Sequence, residues 1–290
     1  MKYLSLKILT ILLGLGVLFS CNQKTVKEKN CCSKDSSNVC KKTFVLVHSA
    51  WLGAWQWNQV KKQLIEKGHE VITPDLPGHG SDKTPAAEID MNAYVNKLVQ
   101  VLKNQDKPVI LVGHSFNGIT ISRVAELQPE KVEKLVYLTA FLLPKGASFF
   151  SAVQGVEGSK AVENFYLSED ESQAFVKENV IKEAFAHDIS DEMFDKVKGM
   201  IVPEPAKPLN YELEISEDKF GRIPKYYIEC TEDKAIPIEV QRGMYKGNVK
   251  QYFSIASSHT PNFSHPSELS NILSGLCKKA VCCSESKAKK

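Results

Sequence analysis

Pro108-Val-Ile-Leu-Val-Gly-His-Ser-Phe-Asn-Gly118 decides the reading of this chain. Residues 108–112 form a continuous apolar run, the kind that fills a parallel strand buried on both faces. Small residues follow, and from Phe116 to Leu127 the apolar spacing becomes helical. A serine at such a strand–turn–helix junction sits on a strained turn that lifts its hydroxyl above the sheet, which makes Ser115 the candidate nucleophile. Asn117 stands where the G-x-S-x-G pattern has its last glycine, and Gly118 follows one place later. Asn tolerates unusual backbone angles better than most residues.

Outward from this stretch, residues 43–144 alternate short apolar strands with helices, which predicts a mostly parallel sheet covered on both faces. Strands are expected at Phe44–His48, Val71–Ile72, 108–112 and Val132–Leu138. Helices are expected at Gln56–Lys67, from Asn92 to about Asn104, and from Phe116 to Leu127. Beyond Pro144 the chain grows richer in Glu, Lys and Phe. Helical segments are predicted near 169–186 and 190–200, and Pro203, Pro205 and Pro208 then break the period. Strands return at Lys225–Cys230 and Val249–Ile255, with a helix near Ile238–Tyr245 between them and a last helix from Pro266 to about Cys277. The expected organisation is a core of 43–144 and 219–277 interrupted by a lid insertion at 145–218.

A serine hydroxyl is a poor nucleophile until a base removes its proton, and the base needs a third group to orient it. On a sheet of this kind the chain order is Ser, acid, His. His259 lies between the last strand and the last helix, so it is the expected base. His265 competes, but its place beside Pro266 suits a helix start. Asp233 follows strand 225–230 immediately and is the expected acid, with Glu232 as the alternative. The oxyanion needs two backbone donors. Phe116 follows the nucleophile and supplies one; the loop His48-Ser-Ala-Trp51 supplies the other, with Ala50 the expected donor. Ser49, Trp51 and Phe141 are candidate pocket residues, joined by Phe165 or Phe175 of the lid. No cofactor is implied, and the folded region holds no metal-ligand set.

Four stretches carry a resemblance. They are His48-Ser-Ala-Trp-Leu-Gly-Ala-Trp55, Gly68-His-Glu-Val-Ile-Thr-Pro-Asp-Leu-Pro-Gly-His-Gly80, Gly113-His-Ser-Phe116 and Tyr227-Ile-Glu-Cys-Thr-Glu-Asp-Lys-Ala-Ile-Pro237. Over about 43–277 the chain resembles the α/β-hydrolase branch of plant methylesterases, salicylate-binding esterases, hydroxynitrile lyases and related bacterial esterases. That resemblance implies an α/β-hydrolase fold with a small lid and a serine esterase acting on a small carboxylic ester through an acyl-enzyme. The lyases of this branch carry a Thr in the loop after the first strand and a Lys beside the catalytic His; here Ser49 and Thr260 stand there. Without that Lys no cation stabilises departing cyanide, so ester hydrolysis is favoured over C–C lysis. Ser49 also replaces the Gly usual in the esterases. A ligand-binding protein without turnover is the remaining alternative, and the ordered Ser, Asp and His argue against it.

The ends of the chain read differently. Lys2 and Lys7 precede an apolar run from Ile8 to Phe19, too short for a comfortable span and shaped like a secretory signal. Leu18-Phe19-Ser20-Cys21 resembles a bacterial lipoprotein signal, which implies cleavage after residue 20, lipid on Cys21 and an exported, membrane-anchored protein. Residues 21–42 would be a polar tether and 278–290 a basic tail. The overall charge of +3 hides +4 in each of 22–42 and 278–290, so the basic character belongs to the tails and marks no nucleic-acid face. Of eight Cys, Cys230 lies in an apolar strand and reads as a buried thiol. Cys31, Cys32, Cys40, Cys277, Cys282 and Cys283 flank the domain, where an oxidising compartment permits disulfides of undetermined pairing.

Overall fold

The computed structural model describes residues 40–277. The expected signal segment, Cys21, most of the tether and the basic tail lie outside them. Four strands open the domain, β1 (Thr43–Val47), β2 (Glu70–Ile72), β3 (Val109–His114) and β4 (Val132–Leu138), separated by helices α1 (Asn58–Glu66), α2 (Met91–Lys103) and α3 (Asn117–Leu127). The chain then leaves the sheet through α4 (Phe149–Val153), α5 (Lys160–Glu163), strands β5 (Phe165–Leu167) and β6 (Gln173–Val176), α6 (Glu178–Phe185), α7 (Asp191–Lys198) and the two-residue β7 (Glu204–Pro205). It returns with β8 (Lys225–Cys230), α8 (Ile238–Tyr245), β9 (Gln251–Ile255), α9 (Pro261–Ser264) and α10 (Pro266–Gly275).

The main sheet is six-stranded, ordered β2-β1-β3-β4-β8-β9, and every pairing in it is parallel. Side chains alternate across a strand, so each strand feeds two cores. Val45, Val47, Leu111, Leu135 and Tyr227 point to one, which Tyr94 and Leu98 of α2 and Ile119 of α3 complete. Phe44, Leu46, Ile110, Val112 and Ile228 point to the other, closed by Trp57, by Val60 and Leu64 of α1, and by Leu269 and Leu273 of α10. Burial on both faces explains why these strands read as unbroken apolar runs. Cys230 belongs to the second core and is fully buried.

One expectation fails in the segment between β4 and β8. Residues 173–176 are the strand β6, not part of a helix 169–186, and the helix there starts only at Glu178. The acidic run that looked helical is a turn, in which Asp170 accepts from the hydroxyls of Ser168 and Ser172 and from the Ser172 N–H. It brings Tyr166 opposite Phe175, and the two rings stack at 5.1 Å. A cross-strand aromatic pair outweighs weak helical propensity. The proline cluster likewise does more than interrupt: Glu204–Pro205 is an edge strand paired with β6, the place in a sheet where proline is tolerated.

Candidate active site

Ser115 lies one residue beyond β3 with φ 57°, in the left-handed region that a non-glycine residue adopts only under constraint. The constraint is visible. Its N–H donates to Leu138 O at 3.2 Å and its carbonyl accepts from Phe141 N–H at 3.0 Å, so the end of β4 grips the turn from both sides. Two glycines make room. A Cβ on Gly113 would meet Asn117 O at 2.8 Å, and one on Gly118 would meet Phe141 O at 2.5 Å. The close approach that needs glycine therefore falls on Gly118, which frees position 117 for a side chain. Asn117 is fully buried and donates from Nδ2 to His48 O at 2.7 Å, tying the elbow to the loop after β1.

Asp233, after β8, and His259, after β9, meet at 2.6 Å between Oδ2 and Nδ1, with both side chains buried. The carboxylate is held on every side. Oδ1 accepts from the N–H groups of Ala235 at 2.7 Å and Ile236 at 2.9 Å, and Oδ2 also accepts from Thr139 Oγ1 at 2.5 Å. A carboxylate on Nδ1–H leaves Nε2 as the lone-pair nitrogen, and His259 Nε2 has no hydrogen-bond partner among the described residues. The alternative acid Glu232 is exposed, and its backbone carbonyl accepts from His187. His265 begins α10, its Nδ1 2.8 Å from Ser264 Oγ.

The residue beside Ser115 escaped the sequence reading. His114 Nε2 lies 2.8 Å from His259 O, and its Nδ1 lies 2.9 Å from Gln56 Nε2. A carbonyl can only accept, so Nε2 donates and Nδ1 accepts from the amide, which leaves the ring neutral. Burial drives its pKa well below the ordinary histidine value, and the neighbouring His259 adds to that. Gln56 continues the chain of contacts, taking the Ser49 N–H at 3.0 Å on Oε1. Only its adjacency to Ser115 hinted at this role. The partners lie 58 and 145 residues away.

The loop after β1 turns sharply, with Leu52 N–H on Ser49 O at 3.4 Å and Trp51 left-handed at φ 61°. The Ser49 N–H is bound to Gln56 and the Trp51 N–H to Glu204. Neither Ala50 N–H nor Phe116 N–H has an acceptor among the described residues, although both residues are buried. Buried amides are rarely left unpaired, so these two remain open to an acceptor.

Beside this turn lies a cavity of about 200 Å³, walled largely by apolar groups that include Trp51, Phe175, Phe185, Val202 and Phe263. Phe185 packs against both Trp51 and the His259 ring at 5.6 Å, so one wall of the cavity rests on His259, although Ser115, Asp233 and His259 do not line it. Ser49 lines the cavity as expected, and Thr260 does too. Phe141 and Phe165 do not. Their rings pack on Phe149 inside the core, at 5.3 Å and 6.3 Å, and what Phe141 gives the site is its backbone.

Fold and site together define a serine-hydrolase-like arrangement at the carboxyl ends of a parallel sheet. The α/β-hydrolase family pattern matches residues 44–272, and the chain belongs to that family. Methylesterase 7 of Arabidopsis thaliana is 33% identical over 252 residues, covering 82% of this chain and 97% of that protein. Methylesterase 1 of the same plant is 31% identical over 261 residues, covering 83% and 98%. Among solved structures, a pyrethroid hydrolase from Sphingobium faniae superposes with a TM-score of 0.72 at 26% identity, over 81% of this chain and 97% of that one. Polyneuridine aldehyde esterase superposes at 0.74 with 25% identity, over 82% and 100%. The expected kinship with the plant methylesterase branch is therefore met, and the chain is an enzyme of the carboxylic ester hydrolase class.

Proposed function

We propose that the enzyme hydrolyses a small, apolar carboxylic ester through an acyl-enzyme on Ser115. The observation that carries the proposal is the buried Asp233–His259 contact of 2.6 Å, tied by the His259 carbonyl to His114, the residue before the left-handed Ser115. Ser115 Oγ attacks the ester carbonyl while His259 Nε2 takes its proton. Asp233 keeps the Nδ1–H tautomer and stabilises the imidazolium that forms. The carbonyl oxygen, now negative, accepts from the N–H groups of Ala50 and Phe116. Collapse expels the alcohol with the proton from His259. A water then repeats the sequence on the acyl-serine, releasing the acid and restoring the hydroxyl. The segment between β4 and β8 acts as the lid over this chemistry, since it supplies most of the cavity wall.

The cavity argues for a small substrate. Its volume of about 200 Å³ falls below the roughly 300–1,000 Å³ usual for drug-sized ligands. In Ser115→Ala, turnover of p-nitrophenyl acetate and labelling by a fluorophosphonate should both vanish; retained hydrolysis would overturn the assignment.

Export and lipidation at Cys21 belong to the same proposal, supported by the Leu18-Phe19-Ser20-Cys21 sequence. In a bacterial host the wild-type chain should partition with membranes and Cys21→Ser should leave them. Equal partition of the two would refute the anchor.

A further inference from the structure

Glu204 has a completely buried carboxylate, and neither Lys nor Arg pairs with it among the described residues. Its Oε2 accepts from the Trp51 N–H at 2.9 Å and from His79 Nε2 at 2.7 Å, and its Oε1 from Tyr94 OH at 2.9 Å. His79 Nδ1 lies 3.0 Å from Pro77 O, so both ring nitrogens face acceptors and both carry protons. Burial opposes that charge, and the adjoining Glu204 outweighs it, leaving the His79 pKa above the ordinary value. A buried carboxylate is costly to keep. Its three contacts impose a geometry on the chain around it.

That geometry centres on Trp51. The residue is left-handed, without the freedom of glycine, and it is pinned at three points by one stretch of chain and its neighbour. Glu204 takes its N–H, the Val202 N–H reaches its carbonyl at 2.9 Å, and its indole Nε1 donates to Ala174 O at 2.9 Å. The preceding residue, Ala50, is the one in this turn whose amide is left unbound. If Trp51 relaxed toward the ordinary backbone region, the turn would rotate and the Ala50 N–H would swing with it.

We propose that Glu204 is a positioning residue for the oxyanion site: by holding the Trp51 N–H it fixes the strained turn that aims the Ala50 N–H. The inference rests on the esterase reading above. It assigns Glu204 no contact with substrate, so its effect falls on the transition state, where the oxygen becomes negative, and spares ground-state binding.

Glu204→Asp keeps the charge opposite His79 while withdrawing the acceptor from Trp51 by about 1.5 Å, one C–C bond. Loss of a whole oxyanion donor costs about 10²–10³ in rate, so a misdirected one should lower kcat about 10- to 100-fold, with KM held within about threefold. Glu204→Gln should rescue, because its amide oxygen can accept from Trp51 and its NH₂ can donate to Tyr94 OH; kcat within about threefold of wild type is expected. Affinity for an aryl trifluoromethyl ketone, which binds as a tetrahedral oxyanion, should fall in parallel with kcat in the Asp variant. Wild-type kcat in Glu204→Asp would overturn the proposal, and so would a loss in which KM rises as much as kcat falls. Should the Asp variant not fold, the Gln variant still decides: a tenfold or larger fall in its kcat, with an unchanged melting temperature, refutes positioning by hydrogen bond. These failures leave the esterase reading intact as long as Ser115→Ala is inactive.

Discussion

The proposed acid–base side of the site and its proposed oxyanion side are held by contacts of different kinds. Asp233 is gripped by the amides of Ala235 and Ile236, two and three residues on, and Ser115 by the end of the adjacent strand β4. These are sheet-end contacts, and the sheet that supplies them is buried on both faces. The Ala50–Trp51 turn is held instead by Gln56, Ala174, Val202 and Glu204, the last across 153 residues of chain, from the segment that also walls the cavity. Ser115, Asp233 and His259 therefore stand on the ends of strands packed on both faces. Most supports of the Ala50–Trp51 turn come from the segment between β4 and β8, so the turn depends on long-range packing rather than on the sheet.

The largest loss is expected at Asp233. Asn in its place presents an NH₂ where the carboxylate was, so His259 turns to the wrong tautomer; kcat should drop about 10³–10⁴-fold. Steady-state turnover of an aryl ester measures it, and a loss below tenfold would mean that Asp233 does not orient the base.

Acid should weaken the two sides together. His48, beside the oxyanion turn, is pushed down to about 3 by burial and then by its His79 neighbour; His114, on the acid–base side, is also driven well down by burial. Both are neutral in the fold but take up protons near pH 6.5 when unfolded. Their stabilisation is complete above that value and lost as pH falls through it, for His48 toward about 3. Between pH 7 and 5 the expected cost is about 2 kcal/mol for His48, and His114 adds to it in the same direction. His79, shifted the other way, keeps its contribution in acid and loses it as pH rises through its raised value. Melting temperatures across this range test the point, and a flat profile would contradict it.

Asn117 joins the two sides, and removing it sharpens the contrast by the least. Asn117→Ala leaves His48 O buried without its donor, at a cost of about 1–3 kcal/mol. Urea unfolding reads that cost. The same variant should lower kcat more than it raises KM, since what loosens is the tie between elbow and oxyanion loop; an unchanged midpoint would show that this bond contributes nothing.

Much of this was legible in the residues themselves. The apolar runs of β3, β4 and β8 carry their own signal because a strand buried on both faces has no polar side to show. Ser115, Asp233 and His259 follow strand ends in the order such a sheet requires. The Glu169–Ser172 turn misled because its acidic residues fit a helix as well as a turn, and only the pairing of Tyr166 with Phe175 chooses between them. Phe141 looked like a pocket wall because an aromatic near a strand end carries no mark of which way its ring will point.

The sequence by itself determined the sheet, the elbow and the chain order of Ser115, Asp233 and His259, because these depend on periodicity and on local backbone demands at a few positions. Tertiary structure alone decided that Gly118 rather than residue 117 meets the neighbouring backbone, that His114 braces His259 through its carbonyl, and that Glu204 holds Trp51. Each of these is a contact between residues far apart in the chain, set by how strands and loops pack, and no spacing along the sequence encodes it.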